Sequence, residues 1–139
     1  MRGYHYEDLS VGMTGEYART VTEADIVMFA GITGDTNPVH LNQIYAESTI
    51  FKTRIAHGSL LAGYISCILG TIMPGPGCIY LSQTLRFKAP VRIGDTVVAT
   101  VTVVGKNDEK KRLTCSTTCM VGERTVLEGE AVVIAPSRA

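Results

Sequence analysis

Ser59-Leu60-Leu61-Ala62-Gly63-Tyr64-Ile65-Ser66-Cys67-Ile68-Leu69-Gly70-Thr71-Ile72-Met73, followed at once by Pro74-Gly75-Pro76-Gly77, is the stretch that decides the fold. It carries no charge, and it is shorter than the roughly 20 residues a membrane span needs. Leu60, Leu61, Ala62, Tyr64, Ile65, Ile68, Leu69 and Ile72 place apolar groups nearly all round a helix. A helix of that kind is enclosed by other structure rather than laid on a surface. The Pro-Gly-Pro-Gly run then stops it. Four runs rich in Thr, Val and Ile follow, at 78–88, 95–105, 111–120 and 124–134. Turn signals at 92–95, 105–108 and 121–122 separate the later ones, and short turns join antiparallel neighbours.

On the N-terminal side of the central helix, residues 13–20 read as a first strand entered from Ser10-Val11-Gly12. Thr22 is placed to cap a helix whose first turn holds Glu23 and Asp25 and whose end is Gly34. Asn37-Pro38 opens a second, shorter helix running to about Ser48, because Asn caps well and Pro suits the first helical position. One domain over residues 1–139 results. Its predicted class is α+β, with five antiparallel strands curled around the Ser59–Met73 helix. An open sheet of this kind leaves an edge strand, and pairing that edge with a second copy removes the liability. A homodimer is therefore expected.

Composition narrows the function classes. The chain has 139 residues, 45% of them hydrophobic and 19% charged, with a formal net charge of +0. That balance lacks the basic excess of a nucleic-acid-binding surface. The N-terminal MRGYHYEDLSVG has no apolar secretory core, so a cytoplasmic protein without a membrane anchor is expected. No pair among Cys67, Cys78, Cys115 and Cys119 is spaced CxxC. Cys115 and Cys119 share one strand, where four residues span about 13 Å, beyond disulfide reach. Buried, reduced thiols are expected. With His5, His40 and His57 the only histidines, no metal site and no organic cofactor are expected.

The segment Gly34-Asp35-Thr36-Asn37-Pro38-Val39-His40 carries the chemistry. Asp35 precedes a helix start, and His40 lies in its first turn, with the fixed φ of Pro38 between them. The positive helix end disfavours an imidazolium and favours a carboxylate. A carboxylate and a neutral imidazole near one point can hold a water, one taking a proton while the other gives one. A capping Asp and a packed His are the plainer alternative. Gly58 begins the apolar helix, where an unpaired N–H stabilises an anion and the missing side chain lets a bulky group approach.

This pattern resembles the hydratase 2 motif of MaoC-like (R)-specific enoyl-CoA hydratases, members of the hot-dog superfamily. The resemblance rests on residues 34–40 with Ala46, on Ile55-Ala56-His57-Gly58-Ser59-Leu60-Leu61-Ala62 with Ser66, and on Phe87-Lys88-Ala89-Pro90-Val91-Arg92-Ile93-Gly94-Asp95-Thr96. It spans roughly residues 5–135. Asn42-Gln43 departs from the Asp-Pro many relatives carry there, which puts helix detail rather than chemistry in question. The resemblance implies a hot-dog fold and reversible syn hydration of short- to medium-chain trans-2-enoyl-CoA to (R)-3-hydroxyacyl-CoA, as in the supply of polyhydroxyalkanoate precursors. It implies an Asp35/His40 catalytic pair and an oxyanion contact from the Gly58 N–H. Asn37, His57 and Ser66 become substrate-binding or supporting residues, with Ser66 reaching the aspartate. It also implies that a second subunit completes the substrate tunnel. CoA would enter only as part of the substrate. Arg54, Arg86, Lys88 and Arg92 are candidates for its phosphates, with ordinary solvated charge as the alternative.

Three rivals remain at this level. A serine hydrolase using Ser66, His40 and Asp35 is disfavoured, since Gly63-Tyr64-Ile65-Ser66-Cys67 is not a nucleophile elbow. A hot-dog acyl-CoA thioesterase would share fold and substrate but lacks a reason for Asn37-Pro38-Val39-His40. A non-catalytic acyl-CoA-binding module has no need of Asp35 and His40 together.

Overall fold

The structure is a computed structural model describing residues 2–139. Strand periodicity is written most clearly in β4 (Thr96–Asn107) and β5 (Arg112–Val121). Val97, Ala99, Val101 and Val103 of β4, and Leu113, Cys115, Thr117 and Cys119 of β5, all turn inward and are buried. The intervening residues face outward, as a period of two requires. With β1 (Thr14–Thr20), β2 (Ile79–Gln83), β3 (Arg86–Phe87) and β6 (Arg124–Ile134) they make one sheet. Its order is β1-β4-β5-β6-β2, with β3 also on β6, and every pairing is antiparallel. Cys115 and Cys119 are free, buried thiols, and burial pushes them up to about 11 and about 12 respectively.

The expected single strand at 78–88 is broken into β2 and β3, giving six strand segments rather than five. Gly129 of β6 explains the break. The Thr84 carbonyl lies where a side chain on Gly129 would have to stand. Thr84 is pinned there, its N–H donating to the Glu130 carbonyl at 2.9 Å and its Oγ1 accepting from the Glu130 N–H at 3.0 Å. The chain lifts over the glycine and pairs again at Arg86.

The central helix, α4 (Gly58–Thr71), lies on the concave face and buries Leu61, Tyr64, Ile65, Ile68 and Leu69 against the sheet. Its enclosure is less complete than expected. Ser59, Gly63, Ser66 and Gly70 form an exposed stripe along its outer side, and Ile72 is also exposed. The large apolar residues populate the other faces, so counting them alone hid this small-residue face. It lies open in the isolated subunit.

The connection from β1 to α4 carries three helices. α1 (Glu23–Thr33) begins with a closed capping box: Thr22 Oγ1 accepts from the Asp25 N–H and Asp25 accepts from the Thr22 N–H. It ends on Gly34, whose φ of 81° only glycine adopts freely. The expected single helix from Pro38 to Ser48 is two: α2 (Pro38–Leu41) and α3 (Gln43–Glu47). Asn42 divides them. It takes an extended backbone, and its Oδ1 accepts from the Tyr45 N–H at 3.0 Å, so it caps α3 instead of continuing α2. Among the described residues, no helix is long and apolar enough to cross a membrane.

Candidate active site

The turn between α1 and α2 is built by short side-chain bonds that its sequence makes available. The Asp35 N–H donates to Thr33 Oγ1 at 3.2 Å, and Asp35 Oδ1 accepts from the Asn37 N–H at 3.3 Å. Asn37 Oδ1 in turn accepts from the Val39 N–H at 3.1 Å, capping α2 with Pro38 in its first turn. Asn37 therefore acts here on the backbone. Asp35 is left with a free Oδ2, which stands 4.0 Å from Nε2 of His40. A water about 2.8 Å from both atoms fits that gap, with roughly a right angle at its oxygen.

His40 is buried, and its Nδ1 lies 2.8 Å from the Ile55 carbonyl. A carbonyl only accepts, so Nδ1 carries the proton and Nε2 presents its lone pair toward Asp35. Burial is the main reason the His40 pKa is lowered from its ordinary value, and the neighbouring His57 adds to it; the Ile55 carbonyl and Asp35 oppose. The helix-end argument from sequence carries little weight by comparison, because α2 has only four residues. Partial burial thus favours the neutral imidazole.

His57 joins the pair from the other side. It is 1% exposed, its ring stacks on His40 with centroids 3.8 Å apart, and its Nε2 lies 2.9 Å from the Asp35 carbonyl. Phe29 of α1 lies against the His57 ring at 4.8 Å. Gly58 follows directly and opens α4 with an N–H that finds no acceptor among the described residues. A side chain at Gly58 would meet the Phe87 ring at 2.6 Å, so glycine lets the ring lie close against the helix start without shifting. A cavity of about 390 Å³ opens here, lined by His40, Phe51, Gly58, Ser59, Leu61 and Phe87 among others. Such a volume suits a small ligand or part of a larger one.

The structure thus brings Asp35, His40, His57 and Gly58 together, with Asn37 behind them. It does not bring Ser66 there: this serine sits on the exposed stripe of α4 and makes no hydrogen bond to Asp35 in the subunit. The basic candidates scatter. Arg54 donates to the His40 carbonyl at 2.6 Å and pairs with Glu23 at 2.8 Å, a structural clamp. Arg92 donates to the Phe51 carbonyl, Arg86 lines a separate hollow with Ser116 and Glu128, and only Lys88 lines the cavity. Sequence reasoning did not single out Ile55, Phe29 or the stacking role of His57. Their spacing from the motif gives no local signal.

Asp35, His40 and His57 each offer one ligand atom within 4.8 Å of the others. The two rings are inclined by only 26°, so their in-plane lone pairs run side by side rather than converging. His40 Nδ1 and His57 Nε2 already face carbonyls. A tetrahedral metal would find the set poorly directed.

A curved antiparallel sheet around one helix, with a carboxylate and an imidazole 4.0 Å apart beside an open helix start, defines a hot-dog domain of the hydratase type. The sequence matches the MaoC like domain family over residues 10–124, and the chain belongs to that family. It is 57% identical over 135 residues to an (R)-specific enoyl-CoA hydratase of Rhodospirillum rubrum, covering 97% of this chain and 94% of that one. A 3-hydroxybutyryl-CoA dehydratase of Methylorubrum extorquens is 49% identical, over 99% of this chain and 88% of its own. Among solved structures, the unliganded R-hydratase PhaJ1 of Pseudomonas aeruginosa superimposes with a TM-score of 0.92 at 42% identity, covering 98% and 88% of the two chains.

Proposed function

We propose that this chain is a hydro-lyase, an (R)-specific enoyl-CoA hydratase that adds water reversibly to short- to medium-chain trans-2-enoyl-CoA. The observation that carries the site assignment is the 4.0 Å gap between Asp35 Oδ2 and the unprotonated Nε2 of His40, beside the open Gly58 N–H. Water held in that gap attacks the β-carbon of the enoyl thioester. The pair takes one water proton and returns a proton to the α-carbon, so one O–H bond and the C=C π bond break while C–O and C–H bonds form. Negative charge grows on the thioester oxygen, where the Gly58 N–H receives it. Oxygen and proton arrive from the same side, giving syn addition. The 57% identity to an (R)-specific enoyl-CoA hydratase of Rhodospirillum rubrum supports the (R) product. No metal or organic cofactor is required by this scheme.

The reading includes a homodimer working in the cytoplasm. Its support is the edge strand β2 with exposed Ile79, Tyr80 and Leu81, next to exposed Phe87 and the bare stripe of α4. A second copy would cover that surface, and would bring Ser66 and Asp35 into a common tunnel. Light scattering at micromolar concentration should report a dimer; a fully active monomer would refute it.

Incubation with crotonyl-CoA tests the reaction. Loss of enoyl absorbance with (R)-3-hydroxybutyryl-CoA as product is expected. Release of free thiol would make the chain a thioesterase, and absence of any turnover would make it a binding module.

A further inference from the structure

His57 stands where a helix-capping side chain is expected, yet it makes no cap bond to its own helix α4. Its Nε2 instead lies 2.9 Å from the Asp35 carbonyl, which can only accept, so Nε2 carries the proton. Its other nitrogen, Nδ1, is buried and has no hydrogen-bond partner among the described residues. A buried polar atom left unpaired is costly. Its persistence calls for a compensating role, and the ring supplies one by stacking on His40 at 3.8 Å with an inclination of 26°. Phe29 closes the opposite side of the His57 ring.

We propose that His57 is the positioning residue of the site: its Nε2–H fixes the backbone of Asp35, its ring face fixes the plane of His40, and its own peptide leads directly into the Gly58 N–H. One side chain thereby sets the spacing of the carboxylate, the imidazole and the anion donor. The inference rests on Asp35 and His40 being the acid/base pair. Asp35 is held at three points, by Thr33, Asn37 and His57, and only the last links it to the opposite wall of the site. A displacement near 1 Å at reacting groups can cost about 10²-fold in rate, which sets the scale of the effect.

Two substitutions separate the two contacts. His57→Phe keeps a ring face and removes the N–H. His57→Gln keeps an N–H at similar reach and removes the ring. With crotonyl-CoA, His57→Phe should lower kcat by about 10- to 10²-fold with KM little changed, and His57→Gln should recover part of that loss. Asp35→Asn is run alongside. If it retains turnover the acid/base reading itself fails; if it is inactive while His57→Phe keeps wild-type kcat, or His57→Gln is no better than His57→Phe, only the positioning role fails. A measurement on the unsubstituted protein covers variants that do not fold. Because His5, His40 and His57 are the only histidines, ¹⁵N imidazole spectra resolve each ring. At neutral pH they should show His57 as the Nε2–H tautomer and His40 as the Nδ1–H tautomer. His57 found as Nδ1–H overturns the proposal.

Discussion

The two long helices of this protein begin in opposite ways. α1 starts sealed: Thr22 and Asp25 exchange bonds across its first turn, and Arg19 locks Asp25 with contacts of 2.6 and 3.2 Å. α4 starts open: His57 turns its side chain away, and the Gly58 N–H finds no acceptor among the described residues. A helix normally finds partners for its first N–H groups, because a buried orphan costs stability. The sealed start therefore serves stability. The open one forgoes a cap worth about 1 kcal/mol and leaves a donor of the kind the proposed anion contact needs.

That contrast breaks first at Asp35 and His40, the proposed acid/base pair beside the open start. Asp35→Asn and His40→Ala should each lower crotonyl-CoA turnover by about 10²–10⁴-fold. The double variant should lose little more than either alone, since the two act as a unit. Circular dichroism should show both variants folded. Near-normal turnover in either would reduce the open start to a packing accident.

Gly58→Ala comes next in size. Its new Cβ would meet the Phe87 ring at 2.6 Å, displacing either the ring or the helix start. Turnover should fall by about 10²-fold, the scale of losing one anion donor, with thermal stability lowered as well. Because alanine keeps the backbone N–H, Gly58→Ala combined with Phe87→Leu should restore stability and most of the turnover. A double variant that regains stability but stays inactive would show that turnover needs the Phe87 ring or the glycine itself, and not the position of the N–H.

Thr22→Ala addresses the sealed start and should do the reverse. Denaturant unfolding should show a loss of about 1 kcal/mol, with kcat unchanged. A fall in kcat without a stability change would erase the distinction between the two helices.

The smallest expected effect concerns pH. Burial lowers the His40 pKa below its usual value, so between the folded and unfolded values the unfolded chain binds more protons. Its contribution to stability is therefore complete above about pH 6.5, the ordinary histidine value, and is lost as pH falls from there through the folded value. Unfolding midpoints between pH 8 and pH 5 should drop on the acid side, and less so in His40→Ala. A midpoint that rises on acidification would contradict a buried, neutral His40.

Much of this was legible in the residues themselves. The Thr22 cap, the Gly34 stop, the Asn37-Pro38 start and the alternation in β4 and β5 arise within a few residues, through local bonds and a period of two. The Asp35–His40 approach is equally local, since a turn and one helical turn join them. Even there a single residue misled: Asn42 looked compatible with one helix and instead capped a second. The division of 78–88 into β2 and β3 depended on Gly129, more than 40 residues away, and no reading of the run alone contains it.

What sequence determined by itself, then, was the class of fold and the close approach of Asp35 to His40, because both follow from short-range spacing. Only the tertiary structure decided which nitrogen of His40 is free, since the Ile55 carbonyl that fixes it belongs to another segment. Only it put His57 on the face of His40, laid Phe87 against Gly58, and turned Ser66 and its stripe outward. Those contacts join residues brought together by packing of elements distant in the chain. Their geometry is set by how α4 and the α1–α2 turn settle on the sheet, and no local pattern encodes it.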